Sequence, residues 1–405
     1  MDIGAAIAQI NAINGTILRI LPPGISPPVI IQYSPATVPI VNMTFASKTL
    51  PEGKMFDHAF NFVRVKLFTI PGLTAQRMPS GRFADHLIFR SKGQRAEAPI
   101  ALLGHSDTVF PPGTFEGYRV DGALRRGPGV FDMKGGLVSV AFALKAIAEA
   151  KGLDALPPLR VVIVSDEEVG SPEGAPLIRT FIGGAQACLV FEPGRSNDAI
   201  VTERQGTGSV ICRAHGKAAH SGNNFWDGVS AIRAMAKFID AAESVSDKKT
   251  GTIVNVGTIT GGTSKNTVPA EASAGVDLRF QTPADGEQLV AKLKALATTA
   301  AAAVPGSRVE VEQGPMRPPM NKADGVDALR SRYAKCARAA GLSGDEAPRQ
   351  GGGSDGNTAA AMGIPTIDGL GPRGKGFHTH DEQIEFESLL QRTRALAAFL
   401  GGFTR

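Results

Sequence analysis

Short apolar runs alternate with helical patterns between residues 56 and 206. The runs at 99–110 (APIALLGHSDTV), 159–170 (LRVVIVSDEEVG) and 187–194 (ACLVFEPG) each end in polar or acidic residues. The segment 132–152 has apolar residues at three- and four-residue spacing and ends in glycine, which predicts a helix. Short buried strands that alternate with helices are typical of sheets covered by helices on both faces. This part of the chain therefore predicts an α/β fold with a doubly wound mixed sheet.

Residues 207–317 follow a different order of elements. Their pattern predicts strand, helix, two strands, helix and strand, which is the split β-α-β-β-α-β arrangement of a ferredoxin-like domain. The α/β pattern resumes after this segment. We therefore predict an α/β domain in two parts, 56–206 and 318–405, with a four-stranded domain inserted between them. Residues 21–40 hold six prolines, which predicts extended or loop structure there, and we assign residues 1–55 no role.

The composition is typical of a folded protein and argues against several classes of function. Of the 405 residues, 42% are hydrophobic and 20% are charged, which disfavours a disordered or fibrous chain. The net charge of +5 weakly favours an anionic small substrate, and a solvated surface without any partner explains it equally well. The sequence has no nucleic-acid-binding motif and no apolar run of the ~18 residues that a membrane span needs. We expect no nucleic-acid partner and no membrane partner.

The three cysteines, Cys188, Cys212 and Cys336, lie far apart, and none belongs to a Cys-x-x-Cys motif. This usage disfavours a disulfide framework or a thiolate zinc site and favours a reducing compartment. The N-terminal stretch has its first positive side chain at Arg19 and is interrupted by Asn and Gln, which is untypical of a secretory signal. The sequence therefore predicts a cytoplasmic protein.

Histidines and acids stand at the ends of several predicted strands, where functional groups gather in an open α/β sheet. His105 and Asp107 are two residues apart, so alternation places them on one face. His105 can then ligate a metal while Asp107 holds its other ring nitrogen, or the two can form a hydrogen-bonded pair without a metal. Asp132 follows a Gly-Pro-Gly turn, where a helix N-cap and a carboxylate that bridges two cations are both compatible with the sequence.

Three further candidates follow along the chain. Glu167 and Glu168 are adjacent and point in different directions, so one can ligate a metal while the other acts on water; the alternative is a solvated acidic turn. Glu192 closes the next apolar run, and His378 and His380 near the C-terminus are also compatible with a surface position. Taken together, His, Asp, Glu and His at successive strand ends match a zinc site with nitrogen and oxygen ligands. The lack of thiolates suits a hydrolytic pair of metal ions.

Eight motifs occur in an order that resembles a known family. They are GHSDTV, GPGVFDMKGG, DEEVGS, FEP, GKAAHS, NTVPAEASAGVDLRF, GGGSDGN and HTHDE. Together they resemble the di-zinc metallopeptidase and amidohydrolase family of glutamate carboxypeptidase, acetylornithine deacetylase, succinyl-diaminopimelate desuccinylase and aminoacylase. GGGSDGN and the spacing around HTHDE are most similar to carboxypeptidase G-like glutamate carboxypeptidases. The resemblance extends from about residue 56 to the C-terminus.

The resemblance implies five metal ligands. His105 and Glu192 would bind one zinc ion, Glu168 and His378 would bind the other, and Asp132 would bridge the two. We expect two zinc ions per chain, with Co²⁺ and Mn²⁺ as alternatives.

The resemblance also implies roles next to the metal ions. Glu167 would be the general base and acid, and Asp107 would orient His105. In this family the last histidine usually precedes a glutamate by four positions. His378 and Glu382 meet that spacing, so His378 is predicted to be the ligand.

The inserted segment 207–317 resembles the family's lid and dimerisation domain, which implies a homodimer. His220 matches a histidine that stabilises the oxyanion, often across the dimer interface, and Asn266 and Arg279 match residues that bind the substrate's carboxylate. Without the resemblance, the three would be interpreted as a capping histidine, a turn asparagine and a strand-surface arginine.

The resemblance implies a zinc-dependent hydrolase that cleaves the amide bond of N-acyl amino acids or small peptides and releases a C-terminal amino acid, as a glutamate carboxypeptidase does. An aminoacylase or dipeptidase of the same family, with a non-acidic substrate, is the second interpretation. A non-catalytic relative that binds a ligand is the third, and the presence of Glu167 and all the predicted ligands argues against it.

Overall fold

The computed structural model describes residues 67–92, 98–111 and 113–403. The prediction for residues 1–55 lies outside this part of the chain. The strands of the described residues are β1 (Leu73–Met78), β2 (His86–Ser91), β3 (Ile100–His105), β4 (Arg119–Asp121), β5 (Leu124–Arg126), β6 (Leu159–Val164), β7 (Ala187–Val190), β8 (Gly206–His215), β9 (Ala219–His220), β10 (Ile253–Gly261), β11 (Thr267–Val268), β12 (Glu271–Phe280), β13 (Arg308–Arg317), β14 (Thr366–Ile367), β15 (Gly374–Lys375) and β16 (Gln383–Glu385). The α-helices are α1 (Gly135–Ala150), α2 (Gly174–Ile182), α3 (Ala231–Glu243), α4 (Pro283–Ala302), α5 (Val326–Ala339), α6 (Gly356–Ala361) and α7 (Phe386–Gly401).

The largest sheet has the strand order β1-β2-β6-β3-β7-β14. Strand β2 pairs antiparallel with both β1 and β6, whereas β6, β3, β7 and β14 are parallel to one another. The sheet is therefore mixed, which confirms the predicted fold class. In the pairing of β3 with β6, His105 lies opposite Val164. The two strands thus end at the same level.

Successive residues of the parallel strands enter hydrophobic cores on opposite faces of this sheet. Leu102 lies in the core that α1, α5 and α7 cover, and Leu103 lies in the core that α2 and α6 cover. Because both faces are buried, these strands appear in the sequence as continuous apolar runs. The helix predicted at 132–152 is present, but it begins at Gly135 because Val130–Lys134 form an irregular turn.

The second sheet is antiparallel and has the order β10-β12-β8-β13. Its residues face alternately toward and away from α3 and α4. Val210, Cys212 and Ala214 of β8 are buried against these helices, whereas Ile211 and Arg213 are exposed on the other face. One buried face and one open face produce the alternating sequence pattern of an antiparallel sheet. The elements follow in the order β8, α3, β10, β12, α4, β13, and β10 and β13 are the edge strands.

A small sheet with the order β15-β16-β5-β4 is absent from the sequence-based prediction. Its strands are two or three residues long, which is too short to show a period-two pattern. The pairing of Gln383 with Arg126 joins the segment before Asp132 to the segment after His378. This sheet therefore brings two distant parts of the chain together at the candidate site.

In the part of the chain that the structure describes, no helix combines the length and the apolar character needed to cross a membrane. Cys188 and Cys212 are buried and Cys336 is partly buried, and all three are free thiols.

Candidate metal centre

Three predicted ligands lie where adjacent parallel strands end. His105 is the last residue of β3, Glu168 lies four residues beyond the end of β6, and Glu192 lies two residues beyond the end of β7. Because these strands are neighbours and run in the same direction, their carboxyl ends lie along one edge of the sheet. The sheet thus places the three side chains close together although the chain separates them by 87 residues at most.

The first group of metal-ligating atoms comes from His105, Asp132 and Glu192. His105 Nε2 lies 3.2 Å from Asp132 Oδ1 and 3.8 Å from Glu192 Oε1. His105 is 1% exposed and Glu192 is 6% exposed. A nitrogen and two carboxylate oxygens that converge in a buried place are compatible with a bound divalent metal ion.

The second group comes from Asp132, Glu168 and His378. His378 Nε2 lies 3.3 Å from Asp132 Oδ2 and 3.2 Å from Glu168 Oε2. Asp132 therefore directs one oxygen toward each group. The structure thus brings the five predicted ligands together, and the alternative that Asp132 is a helix N-cap is wrong because α1 has Lys134 at that position.

His378 has a backbone φ of 61°, in the left-handed region that residues other than glycine seldom adopt. Turn hydrogen bonds surround it: Thr379 N donates to Gly376 O, and Glu382 N donates to Thr379 O. His380 lies elsewhere and packs against aromatic rings, with its centroid 5.2 Å from that of Phe115.

Asp107 and Glu382 hold the ligands in position. Asp107 Oδ1 lies 3.3 Å from His105 Nδ1, and Asp107 Oδ2 accepts a 2.9 Å hydrogen bond from Glu168 N. Glu382, which is 1% exposed, accepts hydrogen bonds from three backbone N–H groups of the loop that carries Asp132. Contacts of this kind fix the orientation of ligands around a metal ion.

Glu167 belongs to neither group of ligands and pairs with a residue that was not predicted from the sequence. Arg317, the last residue of β13, forms an ion pair with Glu167 and donates a 2.9 Å hydrogen bond to Ser171 Oγ. Its Nη2 also lies 3.7 Å from Asp355 Oδ1. The Glu167 side chain is 12% exposed and that of Glu168 is 10% exposed, so the alternative of a solvated acidic turn is wrong.

The local sequence marks Arg317 as a candidate functional residue. It is the single charged side chain in the stretch GPMRPPM, at the end of a predicted strand and just before the chain returns to the α/β pattern. A buried arginine nearly always has an anionic partner, but nothing in the local pattern names Glu167, which lies 150 residues earlier.

The pKa values of both histidines in the ligand cluster are raised. Hydrogen bonds with Asp132 and Glu168 raise the pKa of His378 to about 10. Burial disfavours the protonated form of His105, but its hydrogen bonds with Asp107 and Asp132 outweigh burial and raise its pKa well above the usual value. The carboxylates thus create a place that favours positive charge.

The carboxylates themselves are incompletely satisfied by protein groups. Burial raises the pKa of Glu192 well above its usual value and also raises that of Glu168, whereas hydrogen bonds with His105 and His378 hold the pKa of Asp132 far below its usual range despite burial. Oε1 of Glu168 and Oε1 of Glu192 are buried and have no hydrogen-bond partner among the described residues. Buried carboxylate oxygens without donors are costly. A divalent cation would supply the missing partner to both, so these residues fit a metal ion.

No described contact brings the three predicted residues of segment 207–317 to the ligand cluster. His220 is exposed in the short pair β9–β11, and Ser221 N donates to Asn266 O beside it. Arg279 forms a two-bond ion pair with Asp277 of its own strand. Among the contacts of the described residues, none joins His220, Asn266 or Arg279 to a ligand.

Two nitrogen and three carboxylate ligands, arranged around a shared aspartate at the carboxyl edge of an α/β sheet, form the kind of site found in hydrolases that use two metal ions. The comparisons with known proteins agree with this class. The model of peptidase family M20/M25/M40 matches residues 101–401, and the chain belongs to this family. It is therefore a metallohydrolase that acts on carbon–nitrogen bonds.

Individual relatives cover most of the chain. Carboxypeptidase G2 of Pseudomonas sp. (strain RS-16) is 29% identical over 348 residues, which are 84% of this chain and 82% of that protein. The crystal structure of a tripeptidase from Staphylococcus aureus matches with a TM-score of 0.72 and 24% identity, over 85% of this chain and 92% of that one. The YXEP protein of Bacillus subtilis, a dinuclear metal binding peptidase from the M20 family, matches with a TM-score of 0.60 and 15% identity, over 87% and 93% of the two chains.

Proposed function

We propose that this chain is a di-zinc hydrolase that cleaves the amide bond of an N-acyl amino acid or small peptide and releases the C-terminal amino acid. The observation that carries the proposal is the position of Asp132, which directs one oxygen toward each of two groups of ligands. Similarity to carboxypeptidase G2 over most of both chains supports the release of a C-terminal residue.

His105 and Glu192 would hold one ion, Glu168 and His378 would hold the other, and Asp132 would bind both. Bound metal ions lower the pKa of a water molecule to near neutrality and polarise a carbonyl group. Nitrogen and oxygen ligands without thiolate suit zinc, and they also accommodate Co²⁺ and Mn²⁺. The dinuclear site of the YXEP protein supports two ions rather than one.

Glu167 is the proposed general base and acid. It lies next to Glu168 in the chain but belongs to neither group of ligands, so metal binding does not occupy its carboxylate. It would accept a proton from the attacking water and return it to the leaving amine. Arg317 contacts both the side chain and the backbone carbonyl of Glu167, which fixes the direction of the carboxylate.

The substrate's α-carboxylate would be bound by Arg279 and Asn266. The guanidinium of Arg279 is oriented by Asp277, and its planar shape suits a carboxylate with two hydrogen bonds. His220 would stabilise the oxyanion. Because the described contacts of His220 and Asn266 are remote from the ligands of their own chain, we propose that a second copy of the chain supplies them in a homodimer.

Glutamate or aspartate is the proposed released residue, on the basis of the carboxypeptidase G-like motifs and, weakly, of the net charge of +5. The alternative is an aminoacylase or dipeptidase with a non-acidic substrate, and the substrates described below distinguish it from this proposal.

The free cysteines support the proposal of a cytoplasmic location.

A hydrolysis screen tests the proposal. N-acyl derivatives of glutamate, aspartate, alanine and leucine, and the α-amide of each, are assayed with zinc, cobalt and manganese. We expect loss of the α-carboxylate to cost roughly 2–4 kcal/mol in kcat/KM, because its charge-assisted hydrogen bonds with Arg279 are lost. Equal rates for acids and α-amides would contradict the carboxylate-binding role of Arg279. Faster release of leucine than of glutamate would favour an aminoacylase or dipeptidase.

The Glu167→Gln variant tests the general base. Glutamine keeps the shape of the side chain but does not accept the proton, so we expect kcat to fall by roughly 10²–10⁴-fold while metal content stays unchanged. Glu149→Gln, which changes an exposed acid on α1, serves as the control. Near-normal turnover by Glu167→Gln would place the base at another residue.

A further inference from the structure

A cleft of about 560 Å³ lies beside the ligand cluster. Phe131, which precedes Asp132, and Phe377, which precedes His378, both line it, as does the loop that follows Glu192. The two aromatic rings lie 6.0 Å apart between centroids. The cleft therefore opens at the carboxyl edge of the large sheet, immediately next to the reaction centre of the proposed function.

The polar lining of this cleft is cationic. Arg195 and Lys375 contribute positive side chains, and Asn197 and Gln350 contribute neutral polar groups. Among the described residues that line it, none is an aspartate or a glutamate. We call this feature the Arg195 cleft.

Arg195 has neutral partners only. Its Nη1 donates a 3.0 Å hydrogen bond to Gln350 Oε1, and its Nη2 donates a 2.7 Å hydrogen bond to the carbonyl of Pro193. Its Nε is buried and has no hydrogen-bond partner in the part of the chain that the structure describes. Burial, followed by the neighbouring Arg204, lowers the pKa of Arg195, and the charges of Asp368, Glu192 and Asp132 offset this only in part. A partly buried guanidinium without a carboxylate in hydrogen-bond contact is costly for a protein to maintain.

Two acids close to the cleft, Asp198 and Glu203, are paired with other arginines. Asp198 accepts hydrogen bonds of 2.6 and 2.7 Å from Arg373 and lies 3.4 Å from Arg392. Glu203 pairs with Arg349. The described residues thus pair Arg373 and Arg349 with carboxylates but offer Arg195 no carboxylate within hydrogen-bond distance. An anion from outside would complete its contacts.

We propose that the Arg195 cleft binds a second carboxylate of the substrate, in addition to the α-carboxylate next to the scissile amide. The inference rests on the proposed function, because it assigns the cleft to the same reaction centre. The second carboxylate is carried either by the acyl chain or by the side chain of the released amino acid. Phe131 and Phe377 would cover the apolar part of the substrate group that carries this second carboxylate, while Arg195 and Lys375 would pair with its charge.

Two matched substrate pairs distinguish the two sources. N-succinylalanine is compared with N-succinamoylalanine, which differs only in the charge of the acyl chain, and N-acetylglutamate is compared with N-acetylglutamine, which differs only in the charge of the released residue. Charge-assisted hydrogen bonds lead us to expect a preference of about 10- to 100-fold in kcat/KM for the acid in one of the pairs. That pair identifies the source of the second carboxylate.

Variants then connect this preference to the cleft. Arg195→Gln should reduce the acid-to-amide ratio to near one, and Lys375→Gln, which changes an exposed side chain and is less demanding for folding, should reduce it several-fold. Lys335→Gln, an exposed lysine on α5, should leave the ratio unchanged. An acid preference in neither pair, or a preference that survives both cleft variants, would overturn the inference.

Binding measurements separate this inference from the proposed reaction. Calorimetric titration of the zinc-loaded Glu167→Gln protein with the same four compounds needs no turnover. The proposed reaction fails if the unaltered protein hydrolyses none of the four compounds. The cleft assignment still stands in that case if an acid binds more tightly than its amide and the added Arg195→Gln change removes the difference in affinity. Equal binding of acids and amides overturns the cleft assignment.

Discussion

Glu382 fixes the loop that carries the shared ligand Asp132. Its carboxylate accepts hydrogen bonds from the backbone N–H groups of Gly129 at 2.7 Å, Phe131 at 2.9 Å and Asp132 at 2.8 Å. Because the side chain is buried, these charge-assisted bonds form away from competing water. Asp132 is therefore held in place before any metal ion binds.

Replacement of Glu382 by glutamine should weaken metal binding although the residue is not itself a ligand. Glutamine offers one acceptor oxygen instead of two charged ones, so the loop around Asp132 loses part of its support. We expect zinc affinity to fall about 10- to 100-fold, as for other residues that orient ligands. Competition with a chelator measures the change, and Glu387→Gln, an exposed acid on α7, is the control. Equal zinc affinity in Glu382→Gln and the unaltered protein would contradict this role.

Zinc affinity should fall as pH is lowered from 8 to 6. The pKa of His378 is raised to about 10 by Asp132 and Glu168, so this ring is protonated in the metal-free protein over the whole range. Zinc binds the neutral ring, and each binding event must release at least one proton. We expect the apparent affinity to fall about tenfold per pH unit, and affinity that does not depend on pH would contradict the assignment of His378 as a ligand.

Zinc affinity should rise with pH, but the raised pKa of His378 makes its contribution to the stability of the metal-free protein fall with pH. A histidine whose pKa is higher in the folded than in the unfolded state stabilises the fold below its unfolded value of about 6.5. This contribution of His378 is lost as pH rises toward about 10. Thermal unfolding with and without zinc should therefore show a difference in melting temperature that grows with pH.

Candidate ligands could be identified from the sequence pattern, and the family resemblance assigned their roles. His105, Glu168 and Glu192 follow apolar runs, at strand ends where functional groups gather in an α/β sheet, but each also has an interpretation without a metal. Arg317 and Arg195 could not be assigned in this way, because their importance depends on which groups tertiary folding places beside them. Local pattern does not contain that information.

At the scale of elements, long strands and helices were predictable, and very short ones were not. Strands β3, β6 and β7 are buried on both faces, and β8 and β12 alternate, so each leaves a clear pattern. Strands β4, β5, β15 and β16 have two or three residues and are stabilised by pairing rather than by a pattern of their own. These unpredicted strands connect the loop of Asp132 to the segment of His378.

Among the described strands, β10 has one unpaired edge, and we expect this edge to form a dimer. It is an edge strand of the second sheet, and its Ile253 and Ile259 are 43% and 55% exposed. Exposed edges with apolar side chains readily pair with another chain. Light scattering should give the mass of a homodimer, and Ile259→Lys should shift it toward monomer, whereas Ile211→Lys on the open face of β8 should not. A monomer at micromolar concentration in the unaltered protein would contradict this prediction.

Mixing of inactive subunits tests whether the dimer completes the site. Glu167→Gln lacks the proposed base and His220→Ala lacks the proposed oxyanion donor. If His220 acts on the partner's reaction centre, mixed dimers contain one complete site, and up to about a quarter of normal activity should return per subunit in an equal mixture. Absence of any recovery after subunit exchange would place His220 in the site of its own chain.

At the scale of the whole molecule, the site depends on the meeting of distant parts of the chain. Arg317 brings the end of the second sheet to Glu167, and Asn357 Nδ2 donates to the carbonyls of Gln205 and Pro318, where the chain enters and leaves that sheet. The motif GGGSDGN thus supports the crossing between the two sheets. The sequence analysis used this motif only for the family resemblance and did not predict this structural role.

We propose that five side chains hold two metal ions around Asp132. The zinc content of the folded protein, after saturation and removal of excess metal, tests this proposal when it is measured together with that of three ligand variants. We expect two zinc ions per chain in the unaltered protein, one in Glu192→Ala, one in Glu168→Ala and fewer than one in Asp132→Ala, each with the unaltered far-ultraviolet circular dichroism. One zinc ion or none in the unaltered protein, or two in the folded Asp132→Ala variant, would contradict it.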